Sequence, residues 1–248
     1  MSGAVVVTLG GDAAVTLPDG GAAGVRPADP SERGPGGAVS ALAAGPDAAD
    51  PSAGLAVGPV VNGRRQPVRV WVPESASGRY ARVPGTAAPP SGARGMLVRY
   101  GVEVEEGLPV DGAEFAAEVH RVLNDPRGWG HGGVLRFERV AGGPVRFRVA
   151  LSSPALTDRM CAPLVTGGEL SCLSGDRSVI NARRYGEGAV SYGADLASYR
   201  EYVIGHEVGH ALGHGHAGCP GRGRRAPVMV QQSKSLYGCR ANPWPFPD

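Results

Sequence analysis

Apolar periodicity is concentrated in the last two thirds of the chain. Met96-Leu97-Val98-Arg99-Tyr100-Gly101-Val102-Glu103-Val104 alternates at period two and predicts a strand. Asp111 is placed to cap a helix running to about Leu123, with Phe115, Val119 and Val122 on one face. Asp125-Pro126-Arg127-Gly128 ends it. Residues 134–137 and 145–149 predict a strand pair linked through Ala141-Gly142-Gly143, and residues 177–181 a further strand. Residues 195–212 predict a long helix stopping at Gly213. The remainder reads as Gly- and Pro-rich loop. Strand, helix, three strands, helix and irregular tail make an α+β domain over residues 93–248, with a mixed sheet on two helices.

Residues 1–92 read differently. Ala, Gly and Pro supply half of the first 90 positions, and apolar periodicity is nearly absent. Such a stretch buries too little surface to offset its ordering entropy, so it is expected to be a disordered linker or stalk, with a propeptide as the alternative. Pro67-Val68-Arg69-Val70-Trp71-Val72-Pro73 alternates, but between two prolines it predicts a docking segment rather than a core strand.

Charge narrows the function. The 25 basic residues nearly balance the 23 acidic ones, for a net charge of +2. This argues against a nucleic-acid binder, which would carry a strong basic excess. Lys234 is the one lysine; the other basic residues are arginines, which we read as coding bias. No apolar run is long enough for a transmembrane helix.

The chemistry lies in His206-Glu207-Val208-Gly209-His210-Ala211-Leu212-Gly213-His214-Gly215-His216, which fits H-E-x-x-H-x-x-G-x-x-H at every fixed position. His206 and His210, four apart on a helix, lie on one face a turn apart and can reach one Zn²⁺. Glu207 is rotated away by about 100°, so it can face an attacking water as general base without occupying the metal. Gly213 lets the chain turn sharply and bring back His216 as third ligand. His214 is the rival, but eight residues of helix from His206 span about 12 Å, too far for one ion. It is therefore expected to support the site or face solvent. After Glu207 there is no Glu, and the one Asp is Asp248, so the third ligand is expected to be a histidine.

The motif resembles that of the metzincin zinc peptidases. Ala226-Pro227-Val228-Met229-Val230 is similar to their Met-turn, and the resemblance implies that Met229 forms an apolar floor beneath the ligands. Where some metzincins place a metal-contacting Tyr, this chain has Gln231. A closer resemblance is to the metzincin-like DUF3152 family of actinobacterial proteins. It rests on Asp125-Pro126-Arg127-Gly128-Trp129, the histidine run, Cys219-Pro220-Gly221, Pro227-Val228-Met229 and Asn242-Pro243-Trp244-Pro245, and covers about residues 95–248. It implies a metzincin-like catalytic domain: a twisted mixed sheet, an active-site helix and a Met-turn. By the same comparison, residues 179–182 are expected at a sheet edge that pairs with extended substrate.

Four cysteines, all late in the chain, predict two disulfides and an oxidising compartment. Three pairings are possible. Cys161–Cys172 and Cys219–Cys239 are favoured, because each joins sequence neighbours on one side of the active-site helix. No cysteine precedes Cys161, so an N-terminal inhibitor could not use a thiolate. The N-terminus is a poor signal peptide, so export by an unusual route or an upstream signal is expected. Gly221-Arg222-Gly223-Arg224-Arg225 reads as a solvated loop, with an acidic-substrate subsite as the alternative.

These features lead to a secreted or envelope-attached zinc endopeptidase, monomeric, acting on protein or peptide. Two alternatives stay open: an envelope-binding module with a structural metal, and a zinc hydrolase of a non-peptide amide.

Overall fold

A computed structural model describes residues 58–247. Short strands β1 (Val60–Val61) and β2 (Arg64–Arg65) form an antiparallel pair. There follow β3 (Tyr80–Arg82), β4 (Met96–Glu105), α1 (Gly112–Leu123), β5 (Leu135–Arg139), β6 (Phe147–Ser152), α2 (Pro154–Cys161), β7 (Cys172–Ser174), β8 (Arg177–Asn181), α3 (Ala182–Glu187) and α4 (Leu196–Ala211). The architecture is α+β with a mixed sheet ordered β3-β4-β6-β8-β7, and β5 also pairs with β4. β5, β6 and β8 run parallel to β4, while β3 and β7 are antiparallel to their neighbours. Among the described residues no helix is long and apolar enough to cross a membrane.

Local chemistry explains the elements that position the site. The Asp111 carboxylate accepts from the amides of Ala113 and Glu114, which opens α1 where the cap was expected. Phe115, Val119 and Val122 then face inward, against a core that includes Val98, Tyr100, Phe137 and Phe147. Helix α4 is buried along nearly its whole length, and burial favours pairing of its polar residues. Glu201 takes Arg64 at 2.7 Å and Arg121 at 3.0 Å. Arg200 donates to the carbonyl of Tyr185 at 2.8 Å.

Several expectations are corrected. The chain carries four α-helices among the described residues rather than two: α2 and α3 are short, and periodicity is weak over 6–8 residues. The predicted strand pair does not pair with itself. β5 and β6 lie on opposite edges of β4, meeting it at the level of Tyr100. The glycines of the link marked a turn, but they do not encode whether the chain reverses or crosses. The expectation for residues 179–182 holds only in part: β7 is the edge strand and covers β8 as far as Val179, whereas Ile180 and Asn181 pair with β6 alone, and Ala182 opens α3.

The expected start of the folded domain at residue 93 also gives way. Residues 58–92 pack on the later chain. β3 pairs with residues 103–105 of β4. Val72 and Val83 are buried in the main core, and Trp71 is exposed. The Val70 amide donates to the carbonyl of Gly186, and a Cβ at Gly186 would stand 2.3 Å from the Val70 carbonyl oxygen. The Gln66 side chain accepts from the amide of Ala197 in the first turn of α4. Anchors of this kind are backbone bonds and single side chains contributed to other elements, so they leave no apolar period to read. The expectations of a linker, a propeptide or an export signal within residues 1–57 lie outside the described residues.

Candidate metal centre

Helix α4 carries His206, Glu207 and His210 in its last two turns. It ends at Ala211 with Leu212 as its C-cap, and Gly213 follows at φ 98°, a conformation a side chain would penalise. The His214 amide donates back to the Gly209 carbonyl at 2.9 Å, and this turn returns His216 to the helix. One ring nitrogen from each of His206, His210 and His216 lies within 4.8 Å of the others, so these three could hold a metal ion. His214 is outside this group. Its ring stacks on Trp129 at 4.2 Å between centroids, and its carbonyl serves His210.

Hydrogen bonds orient two of the imidazoles. His206 Nδ1 lies 2.9 Å from the Val228 carbonyl oxygen, and His210 Nδ1 lies 2.9 Å from that of His214. A carbonyl only accepts, so each Nδ1 is the N–H and each Nε2 presents its lone pair. His206 is held neutral, its pKa lowered to about 4 by burial, partly opposed by the Val228 bond and reinforced by the two other imidazoles. Burial also lowers His216, with contributions from His210 and Lys234. Neutral imidazole is the ligating form.

Glu207 completes the arrangement. It is 4% exposed, its Oε2 has no hydrogen-bond partner, and burial alone raises its pKa to about 8. A buried carboxylate without a partner is costly unless a cation or reacting group faces it. The donor set therefore fits a divalent transition metal: three converging imidazoles, two of them oriented by backbone carbonyls, with an orphaned carboxylate oxygen beside them.

The tail packs against the helix that carries these histidines. Met229 is buried against α4 at Gly209, where a Cβ would meet Met229 Sδ at 2.5 Å and Trp129 Cζ2 at 2.7 Å. Trp129 Nε1 donates to the Gly205 carbonyl at 2.8 Å. The tail is knitted by Gln232, fully buried, which accepts from Tyr192 Oη and the Asn242 amide and donates to the carbonyls of Asn242 and Pro227. Cys219–Cys239 closes the loop after His216, and Cys161–Cys172 ties α2 to β7, the two favoured pairings.

The three histidines and Glu207 open onto a cleft of about 430 Å³. Edge strand β7 contributes Cys172 and Leu173 to its wall, and the turn after Met229 contributes Gln231, Ser233 and Lys234. Arg222, Arg224 and Arg225 are not among the lining residues; their loop is bonded to residues 238–240.

Comparison with known proteins adds one result. The profile of the family described as "Protein of unknown function (DUF3152)" matches residues 67–238. The chain belongs to the DUF3152 family. No curated protein and no solved structure matches it. The family match begins at Pro67, so the docked segment 67–92 is part of the family's pattern as well as of the packed domain.

The sequence reading missed the parts that support this site. Tyr202, buried four residues before His206, donates to the Val230 carbonyl and accepts from the Gln232 amide. Its position at i−4 from His206 was a legible signal. Gly205 and Gly209, also four apart, mark the helix face approached by the tail. Gln232 carries no sequence signal, because its partners are distant in the chain.

Proposed function

We propose that this chain is a zinc-dependent endopeptidase acting outside the cytoplasm on protein or peptide substrates. The observation that supports this best is the buried, unpartnered Glu207 carboxylate beside three converging imidazoles. A structural metal site needs no such group, and an unneutralised carboxylate there would only destabilise the fold. His206, His210 and His216 would hold the ion. When bound, zinc supplies Lewis-acid polarisation of the scissile carbonyl and lowers the pKa of water.

The chain's own residues would do the rest. Glu207, poised by burial, accepts a proton from the attacking water and returns it to the leaving amine. Val228 and His214 carbonyls keep His206 and His210 in the ligating tautomer. Edge strand β7 offers unpaired backbone groups to an extended peptide. The Met229 turn resembles the metzincin Met-turn in sequence and packs beneath the ligand-bearing helix. Two disulfides are compatible with an oxidising compartment.

The test is metal content per chain by elemental mass spectrometry, paired with cleavage of quenched peptides. About one zinc per chain is expected, lost in His216→Ala and kept in His214→Ala. Glu207→Gln should keep the metal and lose at least about 100-fold in turnover. Undiminished turnover in that variant, or no stoichiometric metal in the folded chain, overturns the reading.

A further inference from the structure

The lining of the cleft carries two formally charged side chains, Glu207 and Lys234. Glu207 is assigned above. Lys234 has no part in that chemistry, yet it is the one lysine of the chain and stands in the wall beside the ligands. No carboxylate pairs with it among the described residues.

The backbone beneath Lys234 is firmly placed. Its amide and that of Ser235 both donate to the Gln231 carbonyl, at 2.9 and 3.2 Å. On one side, Ser233 Oγ bonds Tyr199 Oη at 2.9 Å; on the other, buried Gln232 is fixed by four hydrogen bonds. Lys234 is exposed on this rigid turn, where it lines the cleft along with Leu164, Leu170 and Leu173 and also borders a second cavity beside Arg184, and its ammonium is an ion-pair donor with no carboxylate partner among the described residues.

We infer that Lys234 selects substrates carrying a carboxylate, which it binds in the cleft that Leu164, Leu170 and Leu173 also line. The carboxylate is either an Asp or Glu side chain or a free C-terminus. This inference deepens the peptidase reading and rests on it for the class of substrate. The loop at Arg222, Arg224 and Arg225 is excluded as the source of selection, because it does not line the cleft.

The experiment uses the full oxidised, zinc-supplied Glu207→Gln chain and fluorescence anisotropy. The probes are peptides of one sequence scanned with Asp, Asn and Lys, each with a free or an amidated C-terminus. Carboxylate peptides should bind about five-fold tighter than their amide isosteres, the upper end of what an exposed ion pair supplies. The preference should shrink with added salt. It should vanish in Lys234→Met and reverse in Lys234→Glu, while Arg224→Met retains it. Loss with side-chain Asn identifies an internal acidic residue; loss on amidation identifies the C-terminus. Equal binding of acid and amide, or a preference that survives Lys234→Met, overturns the inference. A Lys234-dependent preference in a wild-type chain that hydrolyses no peptide supports the ion pair and refutes the peptidase reading. Failure of every peptide to bind refutes both.

Discussion

Replacing Gly209 by alanine sets two effects against each other. On an exposed helix the change would stabilise, since glycine is about 1 kcal/mol worse than alanine in a helix interior. At Gly209 the new methyl would stand 2.5 Å from Met229 Sδ and 2.7 Å from Trp129 Cζ2. Met229 can swing its thioether aside. Trp129 cannot move cheaply, because its Nε1 is bonded to the Gly205 carbonyl and its ring is stacked on His214. Overpacking of this kind costs about 1–3 kcal/mol. Gly205, one turn earlier on the same helix, is the control: a Cβ there meets its nearest atoms at 3.6 Å, an ordinary contact. Gly205→Ala should therefore keep most of the helical gain, and Gly209→Ala should lie below it by about 1–3 kcal/mol. Thermal unfolding reads the gap at roughly 3 °C per kcal/mol for a domain of this size. Metal titration adds a second measure, because displacing Trp129 disturbs His214, whose carbonyl orients His210. If Gly209→Ala is as stable as Gly205→Ala and binds metal as tightly as wild type, the packing argument is wrong.

Three further outcomes follow from the same geometry. Gln232→Leu strands the buried Tyr192 hydroxyl, the Asn242 amide and two carbonyls, and should cost roughly 2–4 kcal/mol in urea unfolding; a loss below about 1 kcal/mol would show that water replaces it. Removing Cys219–Cys239 by double serine substitution opens a 20-residue separation and should cost about 3 kcal/mol, and metal titration should show weaker binding because His216 lies just before the loop. A chain starting at residue 93 loses β3, the Gln66 bond to α4, and the burial of Val72 and Val83 at about 2 kcal/mol each, so chemical denaturation should find it less stable than one starting at residue 58. Equal stability would return residues 58–92 to the role of a linker.

How much was legible follows from how far each signal reaches along the chain. The Asp111 cap, the alternation of β4, and the helix stop at Gly213 are written in consecutive residues, and each stands where it was expected. The spacing of His206, His210 and His216 is likewise local: a helical turn and one glycine bring three imidazoles together. Both cysteine pairings join neighbours in sequence.

Tertiary structure alone decided the rest. That β5 and β6 flank β4 rather than each other is settled by the order of strands in the sheet, which glycines in a link do not encode. β7 rather than β8 walls the cleft for the same reason. The docking of residues 58–92 depends on partners more than 100 residues away, such as Ala197 for Gln66 and Glu201 for Arg64. Short-range periodicity records what a segment buries of itself. It does not record a lone side chain that completes a distant helix, nor a lysine that a folded turn sets in the same cleft as three converging histidines.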